Sequence, residues 1–146
     1  MDRLEDVMSE NDWKNELIHW CVHRQVNGMQ GRPNKLEDTC YSYWIGGTLY
    51  LLGYEYLLNQ KGLRNYILRC QYDLGGFGKI VGAFPDLLHS FYSLAWLSLS
   101  SHPKDGGNKD RSDDDSVAAL PLERLNCTLG IRQIRAETFA GNRSLP

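Results

Sequence analysis

Three side chains in this sequence have the types needed to hold a transition metal together: Asp38, Cys40 and His89. An oxygen, a sulfur and a nitrogen donor with a fourth position open is the pattern of a catalytic zinc rather than a structural one. Asp38 and Cys40 flank a single residue, and such a D-x-C triplet often arises by chance, so the reading depends on whether the fold brings His89 to it. A helix that starts at Asp38 would also favour the Cys40 thiolate through its dipole. Beside this set lies a basic group: Arg32 and Lys35 in the run GRPNK, then Tyr41, and Lys79 in a later glycine loop. Arg offers a planar fork and Lys a point charge to phosphate oxygens. With two helix N-termini they could hold a diphosphate; a solvated loop is the plainer alternative. His19 and His23 are four apart, but Cys21 between them points to another face of a helix and no carboxylate partner is evident, so they read as a surface pair. His102, in a polar stretch, is expected to be solvent-exposed.

An internal repeat supplies the elements that position these groups. One copy runs from Trp20 to Leu52 with Gln25, Gly28, Gly31 and Asp38. The other runs from Tyr66 to Leu99 with Gln71, Gly75-Gly76-Phe77-Gly78 and Asp86. The two Asp residues are 48 apart, and after each the texts align, TCYSYWIGGTLYLL against LLHSFYSLAWLSLS. A period in this range marks stacked helical repeats. Each unit is expected to be a helix, a glycine loop and a second helix: Asn15–Gln25 and Leu63–Gln71 first, Asp38–Leu52 and Asp86–Ser98 second, the latter pair opened by capping Asp residues. Pro85 strengthens the second start. Period-two alternation is absent, which predicts no strands. Stacking places Asp38, Cys40 and His89 in equivalent first turns of neighbouring repeats. A helical stack usually needs at least three repeats, so two leave a raw apolar face.

Composition bounds the rest. The chain has 146 residues, 42% of them apolar, with four Trp and eight Tyr, enough for one modest core. The net charge of −2 argues against broad nucleic-acid or anionic-membrane binding. No apolar stretch reaches membrane-spanning length, so no integral membrane protein is expected, and the acidic first residues do not read as a signal peptide. The four cysteines form no CxxC pair and read as reduced thiols of a cytoplasmic protein, in which the Asn126-Cys127-Thr128 sequon stays unmodified. Residues 11–100 form the repeat domain. Residues 101–117, rich in Asp, Gly and Ser, read as a flexible acidic loop, and 118–146 as a strap that docks back, with a frayed tail. The expected class is all-α.

GMQGRPNKLEDTCYSYW followed by GGFGKIVGAFPDLLHSFYSLAWLSL resembles the C-terminal part of protein prenyltransferase β subunits, from about Glu16 to Leu99 and more faintly around Leu122–Ile134. The resemblance implies an α-α toroid, here partial, and transfer of an isoprenoid from its diphosphate to a cysteine near a protein's C-terminus. By it, Asp38, Cys40 and His89 are zinc ligands, one zinc per β subunit; Arg32, Lys35 and Tyr41 bind diphosphate; and Trp44 lines the isoprenoid funnel. Lys79 stands where farnesyl enzymes carry a magnesium-binding Asp, and Leu88 where they carry a Tyr at the peptide site. Both departures resemble the type I geranylgeranyl enzymes and imply that magnesium is not required. The implied partners are an α subunit, geranylgeranyl diphosphate and CaaX proteins such as small GTPases. The chain covers well under half of a β subunit, so by itself it is expected to be inactive; a non-catalytic binding module or a vestigial product is the alternative.

Overall fold

The computed structural model describes residues 11–102 and 122–141. Except for Ser101 and His102, the expected acidic loop lies outside the described residues, as do the first ten residues and most of the expected frayed tail. The helices are α1 (Asn11–Val22), α2 (Thr39–Leu52), α3 (Gln60–Arg69), α4 (Leu87–Ser101) and α5 (Gln133–Gly141), with a 3-10 turn at Glu55–Leu57 and a two-stranded ribbon of β1 (Leu125–Asn126) and β2 (Ile131–Arg132).

Local chemistry sets the helix ends. Asp38 is extended and accepts the Cys40 N–H, so α2 begins at the next residue. Asp86 does the same for His89 at the start of α4, and Asn59 for Gly62 at the start of α3. At the far end of α2, Gly53 adopts the left-handed conformation (φ 80°) and its N–H reaches the Leu49 and Tyr50 carbonyls. The first helices of both units begin and end earlier than the sequence predicts. Gln25 falls outside α1 because its backbone pairs with Met29, and its side chain exchanges two 2.8 Å hydrogen bonds with the backbone of Asn59.

The repeat is visible in the loops. Gln25 pairs with Met29 and Gln30 with Glu37 in the first unit; Gln71 pairs with Phe77 and Gly78 with Pro85 in the second. These single bridges and the antiparallel β1–β2 ribbon correct the expectation of no strands. Each pairing is too short to write a period-two pattern into the sequence.

Helices α2 and α4, the second helix of each unit, make the most extensive packing between elements. Their contact is close because α2 carries Gly46 against the Trp96 ring: a methyl at Gly46 would lie 2.5 Å from Trp96 Cζ3. Trp96 is fully buried, and so are Ser42 and Ser93 on the same two helices. Loss of a buried indole of this kind costs about 3–5 kcal/mol. Ile18 and Cys21 of α1, Leu63, Tyr66 and Ile67 of α3, and the loop residues Met29 and Phe77 complete one contiguous core.

The strap docks as expected, through polar anchors as well as apolar ones. Tyr43 donates to the Cys127 carbonyl (2.7 Å), and Ser98 donates to the Glu123 carbonyl (2.6 Å). Leu122, Leu125 and Cys127 pack on the core. His102 is not a solvent-exposed loop residue. It closes α4, its N–H bonded to the Leu99 carbonyl, and its carbonyl accepts from Tyr50 Oη (3.0 Å). No helix of the described residues is long and apolar enough to cross a membrane.

Burial is the main cause that raises the Tyr43 phenol from 10.0 to about 12, aided by Cys127 and Tyr92. The fold therefore favours the neutral phenol. Its contribution to strap docking is complete below pH 10.0 and is lost as the pH rises through about 12. An alkaline spectrophotometric titration of the wild type against Tyr43→Phe should show one phenol ionising near the upper value, with the strap loosening alongside it in the wild type only. Identical alkaline profiles for the two proteins would contradict this assignment.

Candidate metal centre

Thr39 connects the repeats. It lies between the two donors of the D-x-C triplet and is fully buried. Its N–H donates to the Lys79 carbonyl (3.0 Å), and its hydroxyl donates to the Gly78 carbonyl (2.9 Å). These bonds fasten the start of α2 to the glycine loop of the second unit, and that loop runs directly into α4. Sequence reasoning missed Thr39. The available signal was a hydroxyl residue placed where only a buried polar group with partners is tolerated.

With the loop fastened, the three expected donors converge. One donor atom each of Asp38, Cys40 and His89 lies within 4.8 Å of the others, with Asp38 and Cys40 buried and His89 half-buried. His89 Nε2 is 3.3 Å from Asp38 Oδ1. Zinc bonds of about 2.0–2.3 Å fit this set after a small contraction. The donor chemistry, carboxylate, thiol and imidazole, suits zinc better than magnesium or calcium.

Two charged groups flank the set. Lys79 Nζ is 3.5 Å from Asp38 Oδ2, with most of the Lys79 side chain in solvent. Asp86 Oδ2 is 2.6 Å from His89 Nδ1. The bond that Asp86 accepts from the His89 N–H, followed by the one to its ring, pulls the Asp86 carboxyl below its ordinary range. Cys40 goes the other way. Burial above all, then the Asp38 carboxyl, pushes its thiol from 9.0 up to about 12, against a smaller opposing pull from Lys79. This reverses the expectation that the helix start would ionise Cys40. A helix dipole is worth about 0.3–1 kcal/mol, under one pKa unit, and desolvation exceeds it. A nearby cation is the ordinary means of recovering the thiolate in such a place.

The remaining expected residues lie around this centre. Arg32 and Lys35 stand exposed on the turn before α2, and neither makes an ion pair among the described residues. Tyr41 is half-buried with its ring over Gly31: a methyl at Gly31 would fall 2.1 Å from Tyr41 Cζ, so the glycine lets the ring lie on the GRPNK turn. Trp44 is 51% exposed and meets Tyr92 with ring centroids 4.8 Å apart. Leu88 is about half exposed beside His89, and Leu87, Phe91 and Leu94 extend that exposed apolar face along α4. His19 and His23 are the exposed surface pair expected, with rings 4.0 Å apart and His23 Nδ1 bonded to the His19 carbonyl.

Thr39→Val keeps the side-chain shape but leaves the Gly78 carbonyl without its donor. Such a loss costs about 1–3 kcal/mol at a buried site. A lowered midpoint in thermal unfolding is expected. An unchanged midpoint would show that the N–H bond to Lys79 fastens the loop by itself.

The centre's surroundings match known proteins. Residues 3–131 match the prenyltransferase alpha-alpha toroid domain. The chain is 47% identical over 85 residues to the geranylgeranyl transferase type-1 subunit beta of Arabidopsis thaliana, covering 57% of this chain and 23% of that one. It is 33% identical over 135 residues to the protein farnesyltransferase subunit beta of Saccharomyces cerevisiae, covering 75% and 31%. In structure it resembles Candida albicans protein geranylgeranyltransferase-I complexed with GGPP, with a TM-score of 0.74, 29% identity and coverage of 88% of this chain and 37% of that one. The chain thus spans less than a third of the length of these two curated relatives. With the alpha-alpha toroid match over most of its length and its stacked helical units, the chain belongs to the prenyltransferase family, as a C-terminal portion of a protein prenyltransferase β subunit.

Proposed function

We propose that this chain is the zinc-bearing portion of a protein geranylgeranyltransferase type I β subunit, acting with an α subunit on CaaX proteins such as small GTPases in the cytoplasm. The observation that carries this reading is the convergence of Asp38, Cys40 and His89 with Lys79 at the Asp38 carboxylate. The type I relative at 47% identity supports the subtype.

Asp38, Cys40 and His89 are the residues that would hold zinc. A zinc ion held there supplies an acidic position at which a substrate cysteine ionises near neutral pH. The chain's own groups do the rest. Arg32, Lys35 and Tyr41 bind and orient the diphosphate of geranylgeranyl diphosphate. Lys79 reaches in from the second glycine loop and neutralises charge that gathers on the leaving diphosphate, which removes the need for magnesium. Trp44, with Tyr43 edge-on and Tyr92 tilted against it, offers an apolar wall to the isoprenoid chain. Leu88 meets the CaaX peptide next to the zinc histidine. A second reading, a non-catalytic docking module, draws support from the exposed apolar face of α4.

Metal analysis of the purified chain should find about one zinc per molecule, and Cys40→Ala or His89→Ala should abolish it. Zinc content unaffected by either substitution would end the ligand assignment. Incubated with geranylgeranyl diphosphate and a CaaX peptide, the 146-residue chain should show no turnover on its own, since two repeats do not enclose a funnel. Robust turnover without an α subunit would refute this, whereas co-purification with an α subunit without zinc would favour the docking module.

A further inference from the structure

We propose that Asp86 is a positioning residue that fixes the tautomer and orientation of His89 for metal binding, beyond its role as a helix cap. The inference rests on the reading of Asp38, Cys40 and His89 as a zinc site.

Capping needs only one of the two Asp86 oxygens. Oδ1 accepts the His89 N–H at 2.9 Å and completes the cap. Oδ2 is left over, and it lies 2.6 Å from His89 Nδ1. No other cap grips the ring of a histidine in this way. Asn59 accepts only the Gly62 N–H, and the second oxygen of Asp38 faces Lys79. One carboxylate therefore holds both the backbone and the ring of the same residue.

The consequence is chemical. An ionised carboxylate only accepts hydrogen bonds, so Nδ1 must carry the proton. Asp38 Oδ1 also faces the ring, but at 3.3 Å from Nε2 it accepts far less closely than Asp86 Oδ2 at 2.6 Å from Nδ1, so in the neutral ring the single proton stays on Nδ1 and the lone pair on Nε2. A metal needs that lone pair at that place. Carboxylates that orient metal-bound histidines in this way typically contribute 10–100-fold to metal affinity.

Asp86→Asn separates the two roles. Asn caps a helix about as well as Asp. Its single oxygen remains occupied by the His89 N–H, so the amide NH2 faces Nδ1 and donates to it. The ring proton then moves to Nε2, where it blocks the metal. In the metal-free full chain, at a pH where imidazole is neutral, nitrogen NMR should show His89 protonated on Nδ1 in the wild type and on Nε2 in Asp86→Asn; a His89→Gln protein assigns the signals. Zinc and cobalt(II) titrations should give affinity about 10–100-fold lower for Asp86→Asn, with an altered cobalt visible spectrum and an unchanged unfolding midpoint. Asp86→Ala should lose both cap and orientation. A wild-type ring protonated on Nε2, or an Asn protein with wild-type tautomer and affinity, would overturn the proposal. If the wild type binds no metal, the zinc reading fails, while the metal-free tautomer still decides whether Asp86 sets the ring.

Discussion

The contact between Thr39 and the second glycine loop governs the arrangement of the centre. Two hydrogen bonds from one residue, to the carbonyls of Gly78 and Lys79, set the register between units that are far apart in sequence. Asp38 and Cys40 sit on either side of Thr39, and His89 lies on the helix that this loop feeds. A slip of one residue would turn both donors of the first unit away from the histidine of the second. Because the hydroxyl bond to Gly78 is buried, it is also intolerant of loss, since that carbonyl would be left without a donor.

Asp38 then has several partners in a small space. It caps α2 through the Cys40 N–H, faces His89 with the same oxygen and meets Lys79 with the other. A carboxylate this buried is costly unless its lone pairs are engaged, and here each oxygen has a partner. The same burial holds the Cys40 thiol neutral, so the centre's reactivity depends on what cation joins it. The capping Asp residues and the candidate metal donors overlap: Asp38 serves in both sets, and Asp86 touches the candidate donor it caps.

The apolar surfaces follow from the same stacking. Each unit buries one side against the other through Gly46 and Trp96, and among the described residues no third unit covers the rest. Leu87, Phe91, Leu94 and Trp44 remain exposed as a result. An apolar display of this size is of the kind that marks an interaction surface.

The sequence by itself determined the repeat, the four principal helices to within a few residues, the capping Asp residues and the docked strap, and it singled out the three side chains that the fold brings together. Those follow from local rules: apolar periodicity, cap chemistry and donor type act over a few residues and leave their mark in the text. Helices α1 and α3 end earlier than the sequence predicts because Gln25 and Gln71 pair with Met29 and Phe77 in the glycine loops. The short bridges escaped because one paired residue makes no pattern. His102 reads as exposed in the sequence because its polar neighbours outweigh a contact with Tyr50, 52 residues away. Only the tertiary structure decided that Thr39 joins the two units, that desolvation rather than the helix dipole sets the state of Cys40, and that Asp86 reaches the His89 ring. The physical reason is common to all three. Hydrogen-bond partners and dielectric are properties of a place in space, and the chain creates that place only when residues 38–40 and 78–89 are brought together.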